Sequence, residues 1–428
     1  MRTLLLNELS KEEYLLLLKR PGIDTNTASD VVKPILDDIK SVGSKAVLKY
    51  AQKYDGLPND DIVISKDVIA NSESKISAKL KTAIDIAAQN IKAFHEKQIP
   101  QKYSLETMPG INCSREYKAI ENVGLYVPGG TAVLPSTMLM LGIPAKIAGC
   151  RRVIACSPAK KGIVNDAVLY AAKVCDIDEL YIVGGAQAIG MMAYGTEVCE
   201  KVDKIFGPGN QYVTTAKSLV SIDPEGCAID MPAGPSEVLV IADKYANPVF
   251  IAADMLSQAE HGVDSQVILV TDASELAGKV SEELNEQLKQ LERFEFANEA
   301  LKSSFILIVN NLDEAIEFSN SYAPEHLIIN TENASSYVLK INNASSVFLG
   351  AFTPESVGDY ASGTNHSLPT YGYAKSYSGV NVLDFMKAIT FQELTEEGLN
   401  NIADTVIELA ETEKLQAHAN AVKVRVKK

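Results

Sequence analysis

The feature that most constrains the fold is a regular alternation between short apolar runs and helical stretches, from about residue 119 to residue 350. The first runs are IENVGLYV, RRVIAC, LYIVGG and KIFGPG. A second series consists of EVLVIAD, QVILVTD, FILIV and HLIIN, and it closes with SVFLG. Such alternation is typical of β-α units around mostly parallel sheets. The sequence therefore predicts an α/β fold with two related layers, joined near residues 230–236 (DMPAGPS).

The helices expected between these strands begin near Ser136, Asp166, Ala186 and Gln211, and then near Pro248, after QVILVTD, from Asp313 and at Ala334. The first hundred residues also have the period of amphipathic helices, with apolar side chains at Ile76, Leu80, Ile84, Ala87, Ile91 and Phe94. After Gly350 a long stretch rich in Gly, Ser and Tyr precedes a last helix, expected from Glu396 to about Ala421. A loop of that length in a compact domain is usually functional or disordered.

Charge and composition limit the partners of the chain. Among 428 residues, 55 acidic and 40 basic side chains leave a net charge of −15, and 46% of the residues are hydrophobic. This composition is that of a globular protein rather than a disordered chain. Because a net-acidic surface repels phosphodiester backbones, we expect no nucleic-acid partner.

The chain also lacks the patterns of exported and membrane proteins. Charged residues interrupt the N-terminal leucines, so no signal-peptide core is expected. The longest uncharged run, residues 122–145, contains Pro128, Pro135 and Pro144, which argues against a spanning helix. The six cysteines form no C-x-x-C pair. We therefore expect a soluble protein of the cytoplasm, without disulfides or a thiolate zinc site and with no membrane partner.

Two short motifs suggest chemistry without proving it. Gln258 and His261 in LSQAEHG are three residues apart, which places them on one face of a helix, and amide oxygen and imidazole nitrogen both ligate divalent metals. The ordinary interpretation of such a pair is plain helix surface. Glu325 and His326 in YAPEHLI suit a general acid and base. They begin a strand, however, whereas ligands of α/β folds gather at the carboxyl ends of strands, so the alternative of a solvated loop pair stays open.

Further candidates lie toward the C-terminus. Asp359 in VGDYASG can offer a carboxylate to a cation, or it can be a turn residue. His366 in GTNHSLP is a further candidate site residue in the same loop, or it only fills a turn. Glu413 and His418 can contribute to a site or form a polar helix face, and His95 is interpreted as structural or exposed.

Glycine-rich turns follow three strands of the first layer. No G-x-G-x-x-G fingerprint occurs, but YVPGG (126–130), VGGAQAIG (183–190) and FGPGNQY (206–212) each lie between a strand and a helix. Such turns present helix N-terminal amides to phosphate, and they also serve tight β-α packing. From the residues alone, nucleotide binding and packing remain equal alternatives.

Taken together, the motifs resemble one family. GLYVPGGTAVLPSTMLMLGIPAKIAGC, FGPGNQYV, DMPAGPSEVLVIAD, LSQAEHG, YAPEHLII, GAFTPESVGDYASGTNHSLPT and EKLQAHANAV resemble, in this order, the histidinol dehydrogenases. The resemblance covers the chain from its first helices to its last. It implies oxidation of L-histidinol through L-histidinal to L-histidine with reduction of two NAD+, one Zn2+ per subunit, and a homodimer whose C-terminal segment completes the partner's site.

The resemblance also implies roles for individual residues. The implied zinc ligands are Gln258, His261, Asp359 and His418. The implied acid-base residues are Glu325 and His326. The implied substrate contacts are Ser236, Gln258, His261, His326, Asp359, Glu413 and His418, and the implied NAD contacts are Tyr126, Gln187 and Asn210.

The fold implied in this way is α/β, with two incomplete Rossmann-like parallel-sheet domains, N-terminal helices and a C-terminal helical extension. We expect an N-terminal helical region over residues 1–110 and a first Rossmann-like domain, on the NAD side, over 111–235. A second domain over 236–370 carries zinc and substrate, and residues 371–428 form the extension that is exchanged in the dimer.

Three other functions remain alternatives. A zinc hydrolase needs the same ligands and no nucleotide. A related zinc- and NAD-dependent dehydrogenase of the same fold acts on another small alcohol. A non-catalytic paralogue keeps the fold but usually loses ligands, and here each implied ligand is present.

Overall fold

The strands of the protein form three sheets, as seen in a computed structural model that describes residues 1–21, 25–129, 134–159 and 162–426. In chain order the strands are β1 (Arg2–Leu5), β2 (Val63–Ile64), β3 (Tyr103–Met108), β4 (Ile111–Ala119), β5 (Asn122–Tyr126), β6 (Arg152–Cys156), β7 (Glu179–Tyr181), β8 (Lys204–Phe206), β9 (Ala228–Ile229), β10 (Glu237–Ala242), β11 (Gln266–Thr271), β12 (Phe305–Ile308), β13 (His326–Asn330), β14 (Ser346–Leu349) and β15 (Met386–Leu394).

Helices connect most of these strands. In chain order they are α1 (Lys11–Leu17), α2 (Thr25–Val42), α3 (Ser44–Tyr50), α4 (Lys66–Asn71), α5 (Ala78–His95), α6 (Pro135–Ala148), α7 (Asp166–Val174), α8 (Gly185–Tyr194), α9 (Gln211–Ile222), α10 (Pro248–Ala259), α11 (Ser274–Leu288), α12 (Phe294–Ser303), α13 (Leu312–Tyr322), α14 (Glu355–Tyr360), α15 (Glu396–Thr412) and α16 (Gln416–Lys423).

The two large sheets have the same internal order. The first sheet is β2-β7-β6-β5-β8-β9 and the second is β1-β12-β11-β10-β13-β14. Each sheet contains five parallel strands. Numbered by their order along the chain, they lie side by side in the order third, second, first, fourth, fifth. This is the Rossmann strand order without its sixth strand. The predicted α/β class with two incomplete Rossmann-like sheets is confirmed.

The central strands are apolar because helices cover both faces of each sheet. Strands β10 and β11 are buried at every position, and β5 and β6 at all but the first. Parallel strands with both faces covered read as continuous apolar runs rather than alternating ones. This explains why runs such as EVLVIAD and QVILVTD were visible in the sequence.

The N-terminal region is not only helical. Strand β1 extends the second sheet in parallel, and β2 pairs with β7 in antiparallel orientation at the edge of the first sheet. The N-terminal region therefore adds an edge strand to each large sheet. Short edge strands carry too few residues for a period to be seen in the sequence.

A third, antiparallel sheet consists of β3, β4 and β15. Strands β3 and β4 form a hairpin, and β15 pairs with β4 over nine residues from Met386 to Leu394. The C-terminal extension, predicted to be helical, thus contains a long strand before its two α-helices. This strand is exposed along most of its length.

Three predicted elements differ from those observed. The segment at Ala334 is a 3-10 helix, Ala334–Lys340, rather than an α-helix. The last helix is two helices, α15 and α16, which are separated at Lys414, where φ is +61°. The loop after Gly350 contains the short helix α14, so Asp359 is a helix residue and not a turn residue.

Membrane insertion of a helix is not supported. Over the described ranges, the structure holds no helix whose length and apolar character would let it span a bilayer.

The C-terminal part of the chain is anchored on the first sheet by an aromatic stack. Phe385, which ends the 3-10 helix Val382–Phe385, lies on Phe206 of β8 with ring centroids 3.8 Å apart, and both rings are buried. Nearby, the Phe385 carbonyl accepts a hydrogen bond from the Ile120 amide. This stack fixes the chain immediately before β15.

We expect Phe385→Ala to lower the free energy of unfolding by about 3–5 kcal/mol, because a fully buried phenyl ring is replaced by a cavity. Urea denaturation followed by circular dichroism measures this change. The control is Phe94→Ala, whose side chain is 47% exposed and whose loss should cost less than about 1 kcal/mol. Equal losses in the two variants would show that the stack does not anchor the C-terminal segment.

Candidate active site

Glu325 and His326 lie at the amino edge of the second sheet. His326 is the first residue of β13, next to Glu237, the first residue of β10. The main chain of Glu237 binds both side chains: its N–H donates to Glu325 Oε2 at 2.9 Å, and its carbonyl accepts from His326 Nδ1 at 3.2 Å. With Nδ1 as the donor, His326 Nε2 is the atom free to exchange protons.

Two carboxylates from helix α14 lie near this imidazole. His326 Nε2 is 3.4 Å from Asp359 Oδ1, and Glu355 lies four residues before Asp359, on the same face of the helix. The ligand atoms of His326, Glu355 and Asp359 lie within 4.8 Å of one another, close enough to hold one metal ion. Ser257 Oγ donates to Glu355 Oε2 at 2.9 Å, which ties α14 to α10.

The protonation states follow from burying several acids together. Burial raises the pKa of Glu325 to about 8 and that of Glu355 to about 8. Burial alone would lower the pKa of His326, but the carboxylates of Glu325 and Asp359 raise it to about 10. The pKa of Asp359 is lowered despite its burial, because His326 and Glu355 stabilise its charge. The cluster therefore contains more carboxyl groups than positive charges.

Gln258, the residue after Ser257 in α10, carries an unsatisfied amide. The residue lies in the last turn of α10 and is 1% exposed, and neither its Oε1 nor its Nε2 has a hydrogen-bond partner. Glu355 Oε1 and His326 Nε2 are also buried without a hydrogen-bond partner. Because unpaired buried polar atoms are costly, a group of them in one place indicates a missing ligand.

His261 follows the helix rather than lying on it. Helix α10 ends at Ala259, and the His261 amide donates to the Gln258 carbonyl at 3.2 Å in the turn beyond. The prediction that both residues share a helix face is therefore wrong in detail. The side chain remains near the cluster, since the charges of Asp359 and His326 act on its pKa, which is lowered mainly by desolvation.

Ser236 and His366 flank the same cluster. Ser236 immediately precedes Glu237 and is half-buried. His366 Nδ1 lies 2.8 Å from the Asp359 carbonyl, and its Nε2 lies 3.1 Å from Thr137 Oγ1 on α6. His366 thus connects the metal-capable cluster to the first domain.

Glu413 and His418 are placed differently. Both are exposed, Glu413 after the end of α15 and His418 on α16, and these two helices pack on each other. The metal-capable cluster that the described part of one chain assembles contains neither residue.

The described parts of the three glycine turns lie at the carboxyl ends of β5, β7 and β8, and Gly130, the last residue of the YVPGG turn, lies outside the described residues. Tyr126 ends β5, and its hydroxyl oxygen accepts a hydrogen bond from the Gly185 amide at 3.1 Å. Gln187 lies in the first turn of α8 and donates to Asp55 at 3.0 Å. Both side chains are buried, whereas Asn210 is exposed and caps α9.

The sequence analysis did not identify Glu355, Glu237 or Asp55. A signal existed for Glu355, because it lies four residues before Asp359 in ESVGD, a spacing that places both on one face if the segment is helical. Glu237 and Asp55 had no local signal. Their partners are 88 and 132 residues away along the chain.

The fold and the buried acid-base cluster are those of an α/β enzyme, and comparisons with known proteins define it as an oxidoreductase of one family. The sequence model of histidinol dehydrogenase matches residues 18–426. The histidinol dehydrogenase of Vibrio parahaemolyticus is 51% identical over 100% of this chain and 99% of that protein, and that of Bacteroides thetaiotaomicron is 51% identical over 97% of each. The chain belongs to the histidinol dehydrogenase family.

A solved structure agrees with this assignment. The crystal structure of histidinol dehydrogenase from Elizabethkingia anophelis has a TM-score of 0.95 and 49% sequence identity, and the match covers 99% of this chain and 98% of that one. The shared fold therefore includes the third sheet and the C-terminal helices.

We expect Glu355→Gln to gain stability relative to the unmodified, metal-free protein as pH rises from 5 to 8. A raised pKa means that folding retains a proton that the unfolded chain releases above pH 4.5, so the unmodified protein loses stability through this range. One pKa unit corresponds to about 1.4 kcal/mol, and we expect a relative gain of about 2 kcal/mol because the proton is shared with Asp359.

Urea denaturation at both pH values in the presence of EDTA measures this difference. Glu295→Gln is the matched control, because Glu295 is exposed on α12. A relative stability of Glu355→Gln that does not change with pH would show that Glu355 is ionised in the folded protein.

Proposed function

We propose that this chain catalyses the zinc-dependent oxidation of L-histidinol through L-histidinal to L-histidine, with reduction of two NAD+, at the end of histidine biosynthesis. Membership of the family supports the reaction. The observation that supports the proposal is the buried pair of Glu325 and His326, in which His326 belongs to a cluster able to hold a metal ion.

The residues present fit a divalent cation. Gln258 offers an amide oxygen that no other group satisfies, and Asp359 offers an ionised carboxylate. Burial raises the pKa values of Glu325 and Glu355, and a bound cation would favour their ionised forms. A donor set of imidazole nitrogen and carboxylate or amide oxygen suits Zn2+.

In this proposal Gln258, His261 and Asp359 of one chain, together with His418 of a second copy, hold the zinc ion. The ion supplies a Lewis-acidic centre, without redox chemistry of its own, that can hold the imidazole and amine of the substrate. Ser236 and Glu413 contact the substrate as well, since a carboxylate such as Glu413 can pair with an ammonium group.

His326 is the proton acceptor of the first oxidation. Its Nδ1 is held by the Glu237 carbonyl, so its Nε2 receives the hydroxyl proton as hydride leaves the carbinol carbon for NAD+. The imidazole must be neutral to do so. A cation bound by Asp359 favours the neutral form, because it offsets the carboxylate charge that raises the pKa of His326.

Glu325 serves the second oxidation. L-Histidinal has no carbinol hydrogen to donate until water adds to its carbonyl, so a base must activate that water. A carboxyl group whose pKa is raised by burial is a stronger base than a solvated one. Glu325 is held in place by the Glu237 amide.

NAD+ is proposed to bind at the glycine turns of the first domain. These turns lie at the carboxyl ends of β5, β7 and β8, where α/β sheets bind nucleotides. Tyr126, Gln187 and Asn210 are the proposed contacts. Asn210 is exposed at the start of α9, and the buried pair Tyr126 and Gln187 shapes the neighbouring turn.

We further propose a homodimer, on the basis of apolar side chains left exposed on the third sheet and the C-terminal helices. They are Tyr103, Leu105, Phe391, Leu394, Leu409, Leu415 and Val424. Exposed patches of this kind usually mark an interface. A second copy packed here would carry Glu413 and His418 toward a site that one chain leaves incomplete, and the six free cysteines suit the cytoplasm.

The first test measures the reaction and the metal together. Purified protein with zinc, NAD+ and L-histidinol should produce two NADH for each substrate molecule, followed by absorbance. His261→Asn removes a nitrogen donor, so its zinc content and its activity should both fall by roughly tenfold or more. Gln290→Ala, an exposed residue after α11, should change neither. Absence of NADH with folded, zinc-loaded protein would refute the proposed reaction.

The second test asks whether two chains share one site. His261→Asn and His418→Asn are each expected to be inactive. When the two variants are unfolded together and refolded, a mixed dimer contains one site with both substitutions and one with neither. Random pairing should therefore restore about 25% of the original activity. No recovery, with dimers formed normally, would place all zinc ligands on the same chain.

A further inference from the structure

We propose that the buried ion pair between Arg20 and Glu237 positions the catalytic pair Glu325 and His326, so that the N-terminal arm (residues 1–21) supports catalysis. The inference rests on the proposed function for the roles of these two residues. Arg20 and Glu237 are positioning residues here, since they act on the reaction through other groups.

The argument begins with the main chain of Glu237. Its N–H donates to Glu325 Oε2 at 2.9 Å and its carbonyl accepts from His326 Nδ1 at 3.2 Å. One peptide segment therefore orients both catalytic side chains. Any displacement of residue 237 moves Glu325 and His326 together, and it also moves Ser236, the adjoining residue.

The side chain of Glu237 determines where this segment lies. Its Oε2 accepts from Arg20 Nε at 2.7 Å and from the Tyr322 hydroxyl at 2.8 Å. Its Oε1 accepts from Arg20 Nη2 at 3.3 Å and from the Tyr371 amide at 2.8 Å. The carboxylate is 1% exposed, and four donors from three parts of the chain hold it. A carboxylate bound in this way has little freedom to move.

Arg20 also reaches the other side of the catalytic pair. Its Nη2 donates to the Ala323 carbonyl at 3.0 Å, two residues before Glu325, and its guanidinium carbon lies 3.5 Å from the centre of the Tyr322 ring. The same guanidinium therefore contacts the start of the YAPEH turn and the carboxylate of Glu237. It connects the two segments whose separation sets the geometry of Glu325 and His326.

Backbone conformation at two contacts of the pair supports this interpretation. Ala323 has φ of +57° and Tyr371 has φ of +56°, in the left-handed region that residues other than glycine rarely adopt. The Ala323 carbonyl accepts from Arg20, and the Tyr371 amide donates to Glu237. Such conformations persist where surrounding contacts hold them, and here the ion pair supplies those contacts.

Proton transfer is sensitive to small displacements. A shift of about 1 Å between reacting groups can reduce the rate by roughly 100-fold. If the ion pair positions the catalytic residues, weakening it should lower kcat more than it changes KM. It should also raise the solvent deuterium isotope effect on kcat, because proton transfer to a displaced imidazole becomes slower relative to the other steps.

The test is Arg20→Lys, compared with a matched variant in the first domain. Lysine keeps the charge but lacks the planar fork that contacts Glu237 and Ala323 together. Arg152 supplies the control, because it makes a similar pair of hydrogen bonds at the amino edge of the first sheet. Its Nε donates to Glu179 Oε1 at 2.7 Å and its Nη2 donates to Glu179 Oε2 at 2.9 Å, and Glu179 also accepts from the Tyr181 hydroxyl. Within the described residues, Arg152 bonds to Glu179 and to the Glu200 carbonyl and not to Glu325 or His326.

We expect Arg20→Lys to lower kcat by about tenfold with L-histidinol and with L-histidinal, with KM changed less than about twofold and a larger isotope effect. Arg152→Lys should keep kcat and the isotope effect of the unmodified enzyme. Unchanged kcat in Arg20→Lys, or an equal loss in Arg152→Lys, would overturn the positioning role.

A second variant covers the case in which Arg20→Lys does not fold. The double substitution R20M/E237Q leaves no unpaired buried charge and should restore folding. Its kcat should nevertheless stay about tenfold or more below that of the unmodified enzyme, and full recovery of kcat would overturn the inference. If the unmodified, zinc-loaded enzyme produces no NADH, the proposed function itself is refuted. If the unmodified enzyme is active and the Arg20 variants are equally active, only the positioning role is refuted.

Discussion

The constraint that shapes the candidate site is the free-energy cost of burying several carboxyl groups around one imidazole. Glu325, Glu355 and Asp359 surround His326 where water has little access, and their mutual repulsion must be met by protons or by a cation. The raised pKa values of Glu325 and Glu355 are the direct consequence of this constraint. A fold tolerates such a cluster only where its surroundings hold every member in place.

The two large sheets have the same strand order, but their candidate binding features lie at opposite edges. In the first sheet the glycine turns follow the carboxyl ends of the strands, as the general rule for α/β folds predicts. In the second sheet the cluster lies at the amino edge, where His326 begins β13 and where the last turn of α10, which runs back across the sheet, contains Gln258. The catalytic role proposed for this pair therefore lies at the edge opposite to the one that the general rule favours, and it stays a prediction.

Much of the fold could be predicted from the periodicity of apolar residues, whereas less of the candidate site could be predicted. The strands of both layers and most of their helices were predicted because continuous apolar runs mark strands covered on both faces. The motifs around Gln258, Glu325 and Asp359 were recognised by resemblance, and their roles stay predictions. Glu355 was missed because its segment was interpreted as a loop, and the Arg20–Glu237 pair because its members are 217 residues apart.

The sequence by itself determined the α/β class, the two series of apolar strands and the membership of a family, because these depend on local patterns along the chain. The tertiary structure decided which side chains meet. The partners of Glu237 come from the N-terminal arm, from α13 and from the loop at Tyr371. The protonation of the cluster was decided there too, since pKa values depend on burial and on charges that are brought together only when the chain has folded.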